Sequence, residues 1–155
     1  MILSYQTLMG LILNDDLLDD FSVDQVQPAS IDLRLAQDIE LKPMEFKLAS
    51  TVEYVKMPKS HAGKVEGKSS LARLGLFIHA AGFIDPAFEG NITLELFNCS
   101  QETIKLNKNM KICQMCVEEI DVIPQKVYNE CDNHYQGQQG PVESYLREIL
   151  FKETR

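Results

Sequence analysis

One acidic residue stands in a segment whose pattern otherwise predicts a buried strand. Aliphatic residues alternate with other side chains along residues 91–98, which is the period-two pattern of a strand with one apolar face. The aliphatic positions are Ile92, Leu94 and Leu96. Glu95 therefore points away from that face, between Thr93 and Phe97. A carboxylate in this setting is partly desolvated, which favours its protonated form and allows proton transfer near neutral pH. The alternative is an ordinary edge-strand glutamate in solvent.

A short turn upstream carries two cations and two hydroxyls within six residues, namely Lys68, Ser69, Ser70 and Arg73. Such a turn suits a polyphosphate, because Arg can bind it bidentately and Lys adds a point charge. It is equally typical of an ordinary solvated loop. The segment lacks the glycine spacing of a Walker A loop, and the chain contains no G-x-G-x-x-G. A phosphate site at this turn would therefore stand on a β scaffold.

The elements that must position these residues are predicted to be mainly β. Residues 31–124 contain short apolar runs broken by proline, glycine and asparagine, which is typical of a β-barrel or jelly-roll-like sandwich. A helix is predicted to begin after Ser4 and to end near residues 19–20. A second short helix is predicted over residues 143–152. The polar, turn-rich residues 128–140 are a candidate flexible lid.

Composition sets further limits on the function. A chain of 155 residues, of which 45% are apolar, fits a single domain over residues 1–155. No apolar run is long enough to cross a membrane, and Asp15 and Asp16 interrupt the first apolar stretch, so no membrane span or signal sequence is expected. The net charge of −8 argues against a general nucleic-acid surface and leaves a local cationic pocket at Lys68 and Arg73. Four cysteines indicate reduced thiols in a cytoplasmic protein.

The cysteines also raise the question of a zinc site. Cys113-x-x-Cys116 is followed by Cys131-x-x-His134, a spacing compatible with zinc. Against this, residues 110–120 have the pattern of a strand, which would place Cys113 and Cys116 on opposite faces. The zinc nucleobase-deaminase signature, H-x-E followed by P-C-x-x-C, is absent from the sequence. We therefore expect no zinc, and structural zinc is the less favoured alternative.

Taken in order along the chain, five segments resemble the dCTP deaminase family of the all-β dUTPase-like superfamily. The match in residues 67–98 is long and corresponds to the family's nucleotide-binding core. The other segments are the opening MILS (1–4), the strand motif VQPASIDLRL (26–35), the strand KICQ (111–114) and the tail motif YQGQQG (135–140). The resemblance implies a dUTPase-like barrel or jelly-roll and hydrolytic deamination of dCTP.

The resemblance also implies the roles of individual residues. Glu95 would be the general acid and base that activates water for attack on C4. Ser69 and Arg73 would orient that carboxylate and the water, while Lys68, Ser69, Ser70 and Arg73 would contact phosphates. Asp85 would read the deoxyribose, with Phe88 beneath the sugar. The remaining expected nucleotide contacts are Thr93, Gln114, Tyr128, His134 and Gln138.

Two of these positions depart from the family pattern, and one nearby histidine is given no catalytic role. Lys68 stands where Arg is usual, which replaces a planar fork by a point charge. His134 stands where the family usually has Lys and is a weaker, pH-dependent cation. His79, beside the pocket-forming residues 80–82, is expected to pack or hydrogen-bond rather than to catalyse.

The resemblance extends to cofactor, assembly and product. It implies Mg²⁺ carried by the triphosphate and not by a protein cage, and a homotrimer with active sites between subunits. Residues 81–85 resemble bifunctional members, which cleave dUTP further to dUMP and so feed dTTP synthesis. Two alternatives stay open: a dUTP pyrophosphatase, which Glu95 disfavours, and a non-catalytic nucleotide-binding regulator on the same scaffold.

Overall fold

The computed structural model describes residues 1–15, 17–78, 82–131 and 133–151. Within these ranges the chain forms ten strands and three short helices. The strands are β1 Leu18–Asp19, β2 Ile31–Arg34, β3 Ile39–Leu41, β4 Phe46–Lys56, β5 His61–Gly67, β6 Leu76–Ile78, β7 Phe83–Ile84, β8 Glu89–Asn98, β9 Ile104–Leu106 and β10 Lys111–Glu119. The helices are α1 Tyr5–Asp15, α2 Ser69–Ala72 and α3 Arg147–Leu150. None of these helices has the length and hydropathy needed to cross a bilayer.

Two antiparallel sheets share one hydrophobic core. One sheet has the strand order β1-β4-β8-β6, the other β2-β10-β5-β7, and β3 pairs with β9 in a small third sheet. Fully buried residues from both large sheets, among them Leu33, Leu94, Ile112 and Met115, belong to a single core cluster. Alternate residues of each strand face this core, because the side-chain period of a strand is two. The prediction of a mainly β chain with a short helix at each end is confirmed.

The strand that carries Glu95 is fixed in place by a bulge in its neighbour. The register between β4 and β8 shifts between Ser50 and Tyr54. Asn91 enters the gap, where its Nδ2 donates to the carbonyl oxygens of Thr51, Val52 and Glu53 at 3.1–3.3 Å. The Thr51 hydroxyl accepts from the Ile92 N–H at 2.9 Å and donates to the Glu53 carbonyl. These bonds satisfy buried polar groups and hold the first half of β8 against β4.

Both predicted helices have different bounds in the structure. Helix α1 begins after Ser4 as expected, but it ends at Asp15 and not near residues 19–20. Leu18 instead pairs with Val55 at the edge of β4, so tertiary pairing outweighs the helical spacing of the leucines.

The C-terminal helix comprises only Arg147–Leu150 and not residues 143–152. The Val142 N–H donates to the Thr93 hydroxyl at 3.2 Å, which holds the start of the segment against β8. Residue 152, the predicted end of this helix, lies outside the described residues.

Candidate active site

A cavity of about 650 Å³ opens beside β8. Its walls come from β4, β5, β7, β8 and the chain after β10, so residues far apart in sequence meet there. Six of the predicted site residues line it: Asp85, Phe88, Thr93, Glu95, Tyr128 and Gln138. The structure therefore brings Glu95 together with Asp85 and Phe88, the residues expected to contact the sugar.

Glu95 reaches the cavity because of the alternation along β8. Ile92, Leu94 and Leu96 are buried, whereas Thr93 and Glu95 are half-buried, which confirms the predicted strand pattern. Glu95 lies opposite Leu48 of β4 in the ladder, and both residues line the cavity. An aliphatic wall beside a half-buried carboxylate is the setting in which desolvation favours proton transfer.

The side of the cavity next to Asp85 is aromatic. Phe88 and Tyr128 meet edge to face, with ring centroids 5.4 Å apart. The Phe88 N–H donates to the Asp85 carbonyl at 3.1 Å, and the Tyr128 N–H donates to the Pro86 carbonyl at 2.9 Å, so both rings are tied to one turn. Burial, assisted by the Asp85 carboxylate, raises the pKa of Tyr128, so its phenol stays a neutral hydrogen-bond donor.

The predicted lid lies along β8 in the structure. The Gln138 Nε2 donates to the Asn91 carbonyl at 2.7 Å, and the Asn91 N–H donates back to the Gln138 carbonyl at 3.0 Å. A Cβ on Gly90 would lie 2.9 Å from Gln138 Cγ and 3.0 Å from Phe88 Cζ, so the close crossing requires glycine. The mobility of residues 128–140 stays a prediction, and residues 136–140 are docked on β8.

The C-terminal segment adds cavity residues that the sequence analysis missed. The additional residues that line the cavity are Val142, Glu143, Leu146, Arg147, Leu150 and Phe151. The apolar members other than Val142 were assigned only to a helix over residues 143–152, and helical spacing does not show which surface a helix covers. Arg147 Nε pairs with Glu143 Oε2 at 3.1 Å within this segment.

His134 is not among the residues that line this cavity. Its ring stacks on Tyr145 with centroids 3.7 Å apart, and it borders a neighbouring depression next to Tyr135. In this position His134 joins the tail to the C-terminal segment instead of facing Glu95.

The cation-rich turn is likewise separate from the cavity. Lys68 precedes α2, and Ser69, Ser70 and Arg73 are exposed. Gln114 is half-buried on β10, opposite Asp32 and Glu66. None of these five residues lines the cavity. Residues 79–81, which include His79 and part of the 81–85 stretch, lie outside the described residues.

The cavity is acidic as a consequence. Asp85, Glu95 and Glu143 supply carboxylates, while Arg147 is the one cation among the described residues that line it. A cavity of this charge suits a neutral base and sugar, but phosphate groups need additional cations.

The comparison with known proteins identifies the family. A family model described as dCTP deaminase-like matches residues 35–120, more than half of the chain. The chain belongs to the dCTP deaminase-like family. The matched span contains β8 with Glu95 and the turn that precedes β6, so the resemblance drawn from residues 67–98 is confirmed.

Relatives and solved structures agree with this assignment. A "dCTP deaminase, dUMP-forming" of Aquifex aeolicus is 37% identical over 174 residues, which cover 94% of this chain and 95% of the relative. The 2′-deoxycytidine 5′-triphosphate deaminase of Agrobacterium tumefaciens matches with a TM-score of 0.66 at 23% identity, over 75% of this chain and 47% of that one. The EIAV dUTPase matches with a TM-score of 0.56 at 26% identity, over 76% of this chain and 93% of that one. The dUTPase-like fold is thus established.

The cysteine side chains of this protein differ in how deeply they are buried. Cys113 is buried in the core, and burial raises its pKa, whereas Cys116 is half-buried and Cys131 is exposed. Cys113 and Cys116 therefore face opposite sides of β10, as the strand pattern predicted. The described ranges contain no group of three or more His, Cys, Asp or Glu side chains able to hold a metal ion.

Proposed function

We propose that this protein deaminates dCTP at C4 by hydrolysis and then cleaves the product to dUMP and diphosphate. The family membership and the dUMP-forming relative support the reaction. The presence of Glu95 in a cavity of suitable size, beside Asp85 and Phe88, supports the same substrate. The proposed product, dUMP, is the precursor of dTTP synthesis.

Glu95 carries the proposed deamination. Its carboxylate takes a proton from water as the oxygen attacks C4, and it returns the proton to N3. A second proton from the attached hydroxyl then accompanies the departing ammonia, so dCTP and water give dUTP and ammonia. The half-buried position of Glu95 supports this role, because a partly desolvated carboxylate exchanges protons readily.

The main support for the proposed assembly is that, within one chain, the cationic turn lies outside the cavity that contains Glu95. The cavity has three carboxylates and one arginine, while Lys68 and Arg73 lie on a turn outside it. A triphosphate is strongly anionic and requires cations at the site. We infer that the site is completed between two copies of a homotrimer, with Glu95 from one subunit and the 68–73 turn from its neighbour.

An exposed aromatic row beside Glu95 supports this assembly. Phe46, Phe97 and Phe77 occupy the same register across β4, β8 and β6. Phe46 is 55% exposed and Phe77 is 46% exposed. Aromatic rings on the surface of a sheet are typical of a face that another subunit covers, and a symmetric oligomer would bury the row.

We propose that the protein requires magnesium and does not require zinc. Mg²⁺ would enter with the nucleotide and neutralise phosphate charge. The burial of Cys113 speaks against its joining Cys116 and Cys131 in one tetrahedral zinc site. The free thiols of all four cysteines support a cytoplasmic location, where reduced thiols persist.

Product analysis tests the proposal directly. The purified protein is incubated with dCTP and Mg²⁺, and the nucleotides are separated by ion-exchange chromatography, with the Glu95→Gln variant as control. Formation of dUMP and diphosphate is expected. Accumulation of dUTP would restrict the activity to deamination, and binding without turnover would favour the regulator.

A dUTP pyrophosphatase is the second candidate, favoured by the fold it shares with the EIAV dUTPase. Under that alternative, dUTP would be hydrolysed to dUMP while dCTP remained intact. Parallel incubations with the two nucleotides therefore separate the two activities.

A further inference from the structure

A buried carboxylate lies behind the cation-rich turn. Asp32 of β2, within the strand motif of residues 26–35, is only 3% exposed. Lys68 Nζ donates to one of its carboxylate oxygens, and Lys111 Nζ lies 3.8 Å from the other. Asp32 therefore bridges the first residue of the turn to the start of β10.

The backbone of Asp32 is itself held by a buried polar network. Gln25 Nε2 donates to the Asp32 carbonyl and to Glu53 Oε1, both at 2.7 Å. Glu53 is fully buried and also accepts from Arg34, whose Nε lies 2.7 Å from Oε1 and whose backbone N–H lies 2.9 Å from Oε2. Each polar group of this network has a partner, so Asp32 has little freedom to move.

Lysine needs such an anchor more than arginine does. The ammonium of Lys68 ends a flexible four-carbon chain and has no planar fork to fix its direction. A buried, immobile carboxylate restricts that chain to one direction at the start of α2. We propose that Asp32 is a positioning residue for triphosphate binding, because it holds the Lys68 ammonium in a fixed direction at the cation-rich turn. This inference rests on the proposed function.

The direction of the change in nucleotide affinity on replacing Asp32 distinguishes a positioning role from a purely electrostatic effect of its charge. Replacing Asp32 by Asn removes a negative charge near the phosphates, and charge alone would then tighten the binding of an anionic nucleotide. Loss of positioning would instead weaken nucleotide binding, because ordering the Lys68 side chain on binding then costs conformational entropy. A purely structural role would lower thermal stability and leave the KM of the folded fraction unchanged.

The experiment compares the steady-state kinetics of Asp32→Asn and Asp24→Asn with those of the wild type. Asp24 pairs with Lys111 at 2.7 Å on the surface and does not contact Lys68, so its variant removes the same charge without the same anchor. We expect the KM for dCTP to rise about tenfold in Asp32→Asn, the equivalent of one lost charge-assisted contact, with little change in kcat. The KM of Asp24→Asn should stay at the wild-type value.

Two further measurements make the outcome decisive. Lys68→Gln should raise KM by a smaller factor in the Asp32→Asn background than in the wild type, because the unanchored ammonium already contributes less to binding. Binding of deoxycytidine, which has no phosphates, should be unaffected by Asp32→Asn. If Asp32→Asn does not fold, Asp32→Glu keeps the charge but displaces the ammonium and should also raise KM.

A wild-type or lowered KM in a folded Asp32 variant would overturn the inference. Failure of the proposed function is recognised separately, because the wild-type protein would then fail to convert dCTP.

Discussion

Mixing two inactive variants tests whether the catalytic carboxylate and the cationic turn belong to different subunits. Glu95→Gln removes the proton carrier from the cavity and leaves the turn intact. Arg73→Ala removes the guanidinium from the turn and leaves the cavity intact. Each variant alone forms sites with one defect and should be inactive. Under the proposed trimeric assembly, co-expression at equal levels produces mixed trimers.

The proposed sharing of each site between two subunits sets the recovery of activity that we expect. Because Glu95 lines the cavity and Arg73 does not, a shared site works only when its cavity comes from an Arg73→Ala subunit and its turn from a Glu95→Gln subunit. With random assembly each condition holds for half of the subunits, so about one quarter of the sites are intact. The mixture should regain about one quarter of the wild-type rate of ammonia release, measured by a coupled assay.

A matched pair of variants controls for unspecific rescue. Glu95→Gln and Asp85→Ala both alter the cavity, so their mixture contains no intact site and should stay inactive. Absence of recovery in the first mixture, although native mass spectrometry detects mixed trimers, would refute the shared site. A monomer that is fully active at high dilution would refute it as well.

Three other predictions concern catalysis, metals and thiols. Glu95→Gln should lower deamination at least about 100-fold, because glutamine cannot carry a proton, while calorimetry still detects dCTP binding; substantial residual turnover would identify another base. A zinc-specific chelator should leave activity unchanged and removal of Mg²⁺ should weaken it; a loss that zinc restores would revive a cysteine site. In the native protein at pH 8, iodoacetamide should modify the exposed Cys99 and Cys131 but not Cys113, whose burial raises its pKa; mass spectrometry of labelled Cys113 would contradict the burial.

The strand pattern was the part of the fold most open to prediction. Alternation along residues 91–98 was sufficient to place Glu95 off the core face, because a period of two admits one arrangement of faces. The end of α1 was less accessible. Leu17 and Leu18 continue an apolar run, and only pairing of Leu18 with Val55, which is distant in sequence, turns that run into a strand.

Only part of the predicted site is assembled in the cavity of one chain. Six residues named from the sequence meet in one cavity, since the resemblance supplied their order along a known type of fold. The packing of Leu146 and Phe151 into the same cavity has no local signature, because it depends on where the tail crosses β8. The stacking of His134 on Tyr145 was missed for the same reason.

Gly90 and the tail constrain each other across nearly fifty positions of the chain. A side chain at position 90 would collide with Gln138 of the tail and with Phe88, and the φ of +154° there also favours glycine. Among homologous sequences, we expect a larger residue at position 90 only in chains that lack the tail motif and whose strand has a negative φ at that position. Covariation between these positions would thus record tail docking in sequences alone.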